Sequence, residues 1–199
     1  MILLILLIAI IAFAYFNIIP GKGHRFLAWI SLAVLIVSVG SVVLHDRDHL
    51  GMEVETKIQT QRLVSSVSPQ LPILLYQPLG NGTEKVYLYK TNAEQKKPKP
   101  IKIDKMKATV TKSAAKPTVT IKTERYVFKN STMKALFSVF NHENELKQRT
   151  YEFKLPKNWQ VLSIKQAKAL QKKLMQQQAL LKQKAALAKQ AQAAQQNKQ

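Results

Sequence analysis

Two long apolar runs, separated by six residues, occupy most of the first 45 positions of this chain. Residues 2–19 are apolar apart from Asn17, and residues 26–44 are interrupted only by small Gly and Ser side chains. As α-helices, which rise about 1.5 Å per residue, these runs would be about 27–29 Å long, close to the ~30 Å hydrocarbon core of a bilayer. We therefore expect residues 1–50 to form a transmembrane helical hairpin, with spans at about residues 2–19 and 26–45.

The competing interpretation of the first run is a cleaved signal peptide, because residues 12–14 (Ala-Phe-Ala) resemble a cleavage site. No Lys or Arg precedes the run and a second apolar run follows closely, which favours an uncleaved anchor. The connection at residues 20–25 holds Lys22 and Arg25, whereas the amino-terminal flank holds neither. By the positive-inside rule the turn is cytoplasmic, so we expect a multi-pass plasma-membrane protein whose C-terminal domain is extracytoplasmic.

The sequence between the apolar runs and the tail is rich in strand signals. The alternation of Met52, Val54, Thr56, Ile58 and Thr60 with polar residues predicts a half-buried strand. The turn Asn81-Gly82 lies between the β-rich residues 73–76 and 85–90 and predicts a hairpin. Further strands are expected at 101–112, 117–123, 125–129 and 149–155. We expect residues 51–160 to form one small, basic, mostly antiparallel β domain.

Helical spacing appears twice after the apolar runs. Met133, Leu136, Phe137 and Phe140 recur at i, i+3, i+4 and i+7 behind the cap candidates Asn130 and Ser131, which predicts one short helix beside the sheet. Residues 161–199 are rich in Lys, Gln and Ala and contain no Pro or Gly, which predicts a long basic C-terminal helix. The expected fold class is therefore a membrane-anchored α+β protein with two N-terminal transmembrane helices.

A Tyr-x-aromatic-Lys pattern recurs at residues 87–90, 126–129 and 151–154. In a strand, this spacing places both aromatic rings on one face and the Lys on the other. The rings could form a stacking platform edged with cations, as in proteins that bind single-stranded nucleic acid. They could instead be core residues with solvated lysines, and the shortage of other large apolar residues in these strands favours the core.

The histidines offer only a weak metal candidate. His45 and His49 are spaced i, i+4 beside carboxylates, a spacing that can bind a metal ion from one helical face, but no Glu completes an HExxH motif. A polar cluster is also expected wherever a span meets water. His24 and His142 have no catalytic partners nearby in sequence, and there is no serine elbow, phosphate loop, paired-carboxylate motif or Cys. We therefore expect no enzymatic activity and no cofactor.

The tail carries the clearest charge signal, since ten Lys and no Asp or Glu follow Phe153 in a chain of net charge +20. It could be an arm that binds an anionic lipid surface, a wall polymer or nucleic acid, with Lys165, Lys168, Lys172 and Lys173 as the polyanion-binding candidates. It could instead be an appendage that docks Leu170, Leu174 and Leu181 on the β domain or on a second copy.

Several strings give the chain a resemblance to a known family. These are residues 51–56 (GMEVET), 74–80 (LLYQPLG), 84–91 (EKVYLYKT) and 159–163 (WQVLS), the last leading into residues 165–170 (KQAKAL). With the two apolar runs, they resemble an uncharacterised membrane-anchored protein family of lactic-acid bacteria, domain-of-unknown-function family 4811. The resemblance implies a bacterial plasma-membrane setting and brings no activity, cofactor or catalytic residue.

Three hypotheses of function follow from these features. The first is a non-enzymatic membrane protein that presents a basic β domain and helix at the outer membrane face to anionic wall polymer or lipid. The second is a cytoplasm-facing module that tethers nucleic acid to the membrane, and orientation separates it from the first. The third is an accessory subunit of a larger membrane protein, with Ser31, Ser38 and Ser41 as a small-residue contact face.

Overall fold

The computed structural model describes residues 1–68, 71–80 and 84–196, with side chains described up to residue 184, and shows an α+β fold. Two apolar helices come first, followed by eight strands with a short helix among them and a C-terminal helix. The elements are α1 (Ile2–Ile18), α2 (His24–Asp48), β1 (Met52–Arg62), β2 (Ile73–Leu79), β3 (Glu84–Tyr89), β4 (Lys99–Pro100), β5 (Met106–Thr111), β6 (Thr118–Phe128), α3 (Ser131–Phe137), a 3₁₀ turn (Ser138–Phe140), β7 (Leu146–Lys154), β8 (Gln160–Ser163) and α4 (Ile164–Gln196).

The strands form two four-stranded sheets, with orders β1-β6-β7-β5 and β4-β3-β2-β8. The predicted hairpin pairing is confirmed, because β2 and β3 are antiparallel with Leu75 opposite Leu88. The predicted turn residues 81–83 lie outside the described residues. The second sheet is mixed, since β8 runs parallel to β2. The sequence predictions did not include β8, whose four residues are too few to show a period-two pattern.

Local signals placed several elements well. The short helix is confirmed as α3, and Asn130 caps it by accepting a hydrogen bond from the Met133 N–H at 2.9 Å. The strands predicted at 117–123 and 125–129 are one continuous strand, β6. The strand predicted at 101–112 is confined to Met106–Thr111.

The chain divides into two compact units, residues 1–59 with 122–150 and residues 60–121 with 151–199. In the first unit α1 and α2 are neighbours, and α2 buries Ala28, Ser31, Ser38 and His45 along one stripe. Helix α2 is long and apolar enough to cross a membrane, whereas α1 is apolar and 17 residues long. Ser31 lines a gap between the two helices together with Ala9. Two residues of the small-residue face expected to contact a partner, Ser31 and Ser38, are buried within the described chain.

The core of the second unit lies between strands of both sheets. It contains Leu63, Leu74, Tyr87, Ile101, Val119, Tyr151, Phe153, Leu155 and Trp159. Four of these side chains, Leu74, Val119, Phe153 and Leu155, are 0% exposed. Burying a side chain of this size contributes about 1.5–3 kcal/mol each, so this cluster is the main source of stability in the unit.

The first strand departs from its sequence prediction. Alternation predicted that one face of β1 is buried, but all residues from 53 to 62 are exposed, including Val54 at 39% and Ile58 at 64%. β1 is the terminal strand of its sheet, and the exposure of Val54 and Ile58 shows that no described element covers its apolar face. The half-buried strand is therefore corrected to an exposed edge strand.

Candidate functional site

Helix α4 begins with a capping box formed by Ser163 and Gln166. The Gln166 N–H donates to the Ser163 Oγ at 3.1 Å, and the Ser163 N–H donates to the Gln166 Oε1 at 2.9 Å. These bonds satisfy two backbone donors at the helix start. The sequence predictions above did not include this box, although the Ser-x-x-Gln spacing is a recognised signal for it.

One side of the first three turns of α4 packs against the second sheet. Ala167 is 7% exposed and lies in a cluster with Ile73 and Leu75 of β2. Leu170 packs against the same cluster, and Leu174 is half-buried. The apolar stripe therefore holds the beginning of α4 against the β strands, as the docking interpretation expected for Leu170.

The predicted lysines lie on the other side of the same turns, and all four are exposed. At about 100° per residue, Lys165, Lys168 and Lys172 fall within about 60° of one another and about 180° from the buried stripe. Lys173 lies about 80° away from Lys165. The structure thus brings three of the four candidates onto one surface, which we call the lysine face.

Beyond Leu174, the described part of α4 leaves the sheet. Residues 175–184 are all exposed, including Met175 at 60% and Leu181 at 66%. Leu181, a predicted docking residue, is therefore not packed against the described part of the chain. Because no Asp or Glu follows Glu152, the lysines of α4 have no acidic neighbour within the helix. An anion can therefore reach the lysine face without displacing an ion pair within the helix.

The second unit also contains a surface cavity of 520 Å³, lined among others by Leu63, Pro72 and Trp159. Arg62 is the charged residue among its described lining. A cavity with one cation suits a small ligand, whereas a polyanion needs a row of cations. The lysine face therefore fits a polyanion better than this cavity does.

A second group of titratable side chains lies in the first unit, at the end of α2. The ring of His45 is 0% exposed and stacks on Phe137 with centroids 4.3 Å apart. Its Nδ1 lies 2.7 Å from the Leu50 carbonyl oxygen. Because a carbonyl oxygen only accepts, Nδ1 carries the hydrogen. The Nε2 atom is buried and has no hydrogen-bond partner among the described residues.

The other two histidines at this end make different contacts. His49 stacks on Tyr126 at 3.8 Å between centroids, and its Nε2 is 3.7 Å from the Glu145 carboxylate, too far for a hydrogen bond. His142 lies between Glu145, at 3.1 Å, and Asp46, at 3.5 Å. The sequence predicted no catalytic partner near His142; of the two carboxylates it contacts, Glu145 is three residues away and Asp46 is distant in sequence.

In the structure, the weak metal candidates His45 and His49 both make packing contacts. The two rings have separate stacking partners, and His45 uses one nitrogen for the Leu50 carbonyl. The described residues contain no group of three or more His, Cys, Asp or Glu that could hold a metal ion. We call His45, His49, His142 and the rings they contact (Tyr126, Phe128, Phe137 and Phe140) the hairpin junction.

The amino terminus meets the same region. The Met1 amino group donates to the carbonyl oxygens of Ala135 at 2.9 Å and Leu136 at 3.2 Å. These carbonyls belong to the last turns of α3, where a positive charge is favourable. In the first unit, the start of α1 and the end of α2 therefore both contact residues 126–142.

The aromatic repeats are mainly core residues, as favoured from the sequence. Tyr87, Tyr151 and Phe153 are between 0% and 9% exposed, and Tyr89 packs against them. Burial raises the pKa of the Tyr87 phenol, and the nearby Tyr76 raises it further. In the middle repeat, Tyr126 and Phe128 are half-buried and stack on His49 and His45. These contacts leave no continuous aromatic platform among the described repeats.

The fold is α+β, with an apolar helix long enough to cross a membrane and a terminal helix that carries the lysine face. These features define a basic protein with one candidate membrane span. Residues 22–170 match the family described as Domain of unknown function (DUF4811), and the chain belongs to this family. The matched region runs from just before α2 to the docked turns of α4. No curated protein and no solved structure matches the chain.

Proposed function

We propose that this is a non-enzymatic plasma-membrane protein of a Gram-positive bacterium, in which both α1 and α2 span the bilayer. Outside the cell, it presents its basic domain and the lysine face of α4 to anionic wall polymer or lipid headgroups. The observation that carries the proposal is the two-sided character of α4, with Ala167 and Leu170 docked and Lys165, Lys168 and Lys172 turned away. A docked helix with an outward row of cations is pre-organised for a polyanion.

The anchor is supported by the surface of the two apolar helices. Large apolar side chains on both remain exposed within the chain, such as Ile8 at 57%, Trp29 at 69% and Val37 at 67%. Exposed apolar area of this extent is unfavourable in water and favourable in a bilayer. Because Met1 and His45 both contact residues of 126–142, both open ends of the hairpin lie at one side.

The outward orientation rests on Lys22 and Arg25 in the turn between the helices. A positively charged turn is retained in the cytoplasm, which directs the other side of the hairpin outward. Ser113→Cys tests the orientation. Position 113 is exposed, and the substitution gives the chain its only thiol. We expect a membrane-impermeant thiol reagent to label it on intact cells. Labelling only after lysis would favour the cytoplasmic nucleic-acid module.

The binding test uses the full chain in nanodiscs of zwitterionic lipid, with inorganic polyphosphate and anionic vesicles as separate probes. Each Lys near an anionic surface contributes about 1 kcal/mol at most. Replacing Lys165, Lys168, Lys172 and Lys173 by Gln should therefore weaken low-salt binding by up to about a thousandfold. Binding of polyphosphate but not vesicles identifies a wall-type polymer, and the reverse identifies lipid.

A matched control removes the same charge elsewhere. Lys96, Lys97, Lys99 and Lys102 are exposed and lie outside α4, so their Gln variant has the same net charge as the test variant. We expect the control to keep most of its affinity. Equal losses in both variants would show that net charge alone binds the probe and that α4 has no special role.

A further inference from the structure

The outer edge of β1 presents a row of backbone hydrogen-bonding groups that pairs with no other described strand. It is the terminal strand of its sheet, and residues 53–62 are exposed. Long exposed edges template the addition of another strand, and proteins usually block them with Pro, bulges or short length. β1 has 11 residues and no Pro. An edge of this kind fits a strand-pairing partner.

The sequence of β1 is complementary to itself in one antiparallel register. If Thr56 faces Thr56 of a second copy, Val54 faces Ile58 and Glu55 faces Lys57, each twice by symmetry. Directly opposed residues share a face, so these pairs form one apolar face and one charged face. A shift of two residues would instead oppose Glu55 with Glu55 or Lys57 with Lys57. Of these three registers, only the one centred on Thr56 avoids both repulsions, and it is also the one that opposes Glu55 with Lys57.

Local charge also favours a second copy at this edge. The chain has a net charge of +20, so most surfaces of two copies repel each other. β1 holds Glu53, Glu55, Lys57 and Arg62, two acids and two bases, and is locally neutral. Glu55 and Lys57 are 3.6 Å apart and both partly exposed, so they are available to pair across strands. We propose that the protein forms a two-fold dimer by antiparallel pairing of β1 with β1.

Cysteine cross-linking of the full chain in detergent tests the register, because the native chain has no Cys. In this pairing the two Thr56 Cα atoms lie about 4.5–5.5 Å apart, within disulfide range. Thr56→Cys should therefore form a disulfide dimer rapidly under mild oxidation. Thr60→Cys is the matched control on the same face, since the two Thr60 positions would be about 27 Å apart. Equal cross-linking at both positions would indicate parallel or random contact and overturn the proposal.

A charge exchange tests the pairing without any disulfide. Glu55→Lys or Lys57→Glu alone places like charges opposite each other twice, and we expect the dimer dissociation constant to rise about tenfold. The double variant restores both opposite pairs and should recover the native dissociation constant. A monomer at all concentrations overturns the proposal. A dimer that is insensitive to all three variants also overturns it, because association through the apolar helices would then explain the dimer.

Discussion

Two aromatic clusters in this protein arise from the same Tyr-x-aromatic-Lys spacing but have different surroundings. In the second unit, Tyr87 and Tyr89 pack with Tyr151 and Phe153, and the rings are largely enclosed by other apolar side chains. In the hairpin junction of the first unit, rings of the middle repeat stack on His45 and His49. The first cluster is an apolar core, and the second is a polar joint at the end of an apolar helix.

The difference shows that the spacing within a strand determines which face a ring occupies but not what the ring contacts. The partners of the middle repeat, Tyr126 and Phe128, come from the end of α2 and the residue that follows it, about eighty residues earlier in the chain. Histidine can stack and hydrogen-bond at the same time, so it suits a position where an apolar helix meets polar residues. The two clusters should therefore respond differently to truncation and to pH.

The largest effect is expected at the centre of the apolar core. Phe153 is 0% exposed, so Phe153→Ala should lower the free energy of unfolding by about 3–5 kcal/mol in denaturant titrations of the full chain in detergent. Phe128→Ala in the junction should cost less, because Phe128 is half-buried. If the two variants lose equal stability, the contrast between core and joint is wrong.

The next largest effect is expected at His45, the buried histidine of the junction. His45→Ala removes both the stack on Phe137 and the bond to the Leu50 carbonyl and should cost about 2–4 kcal/mol. His45→Phe keeps a ring and removes the unpaired Nε2, so it should recover most of that loss. The control His49→Ala should cost less, because this side chain is 21% exposed. Equal losses at His45 and His49 would contradict the assignment of His45 as the buried member.

Much of the fold followed from local patterns in the sequence. The apolar runs predicted an apolar N-terminal region. The cap at Asn130 predicted α3, and the residues around Asn81-Gly82 predicted the β2–β3 pairing. Each of these depends on a few consecutive residues, and short-range physics determines them. The lysine candidates could also be named from composition, but their common face required the position of the docked stripe.

The remaining features depend on contacts between distant residues. The alternation of β1 indicated a strand, but whether Val54 and Ile58 are covered depends on whether another element packs against that face of the sheet. β8 exists because it pairs with β2, nearly ninety residues earlier. His142 reaches His45 and His49 only through the fold. A single sequence contains no local signal for any of these three.

A smaller loss of stability is expected at Tyr151, whose hydroxyl lies in the apolar core. The Tyr151 hydroxyl accepts a hydrogen bond from the Lys102 N–H at 3.1 Å. Tyr151→Phe leaves this partly buried donor without its partner and should cost about 1 kcal/mol at neutral pH. Urea titrations at pH 7 measure this loss. A Phe variant as stable as the native chain would show that water replaces the hydroxyl at Lys102.

The smallest effect at neutral pH, and the one with a distinct pH dependence, is expected at Tyr87. Burial, with Tyr76 nearby, raises the pKa of Tyr87 above its ordinary value of 10.0, so above that pH the unfolded chain loses the phenolic proton before the folded chain does. The folded state then binds more protons than the unfolded state, and its stability falls as pH rises. Tyr87→Phe has no such proton, so it should match the native chain at pH 8 and become the more stable of the two at alkaline pH. Unfolding titrations of both proteins at pH 8 and about pH 11 measure the difference, in which the titration of the lysines cancels. A difference that stays constant with pH would mean that the phenol is hydrated and that this part of the core is not closed to water.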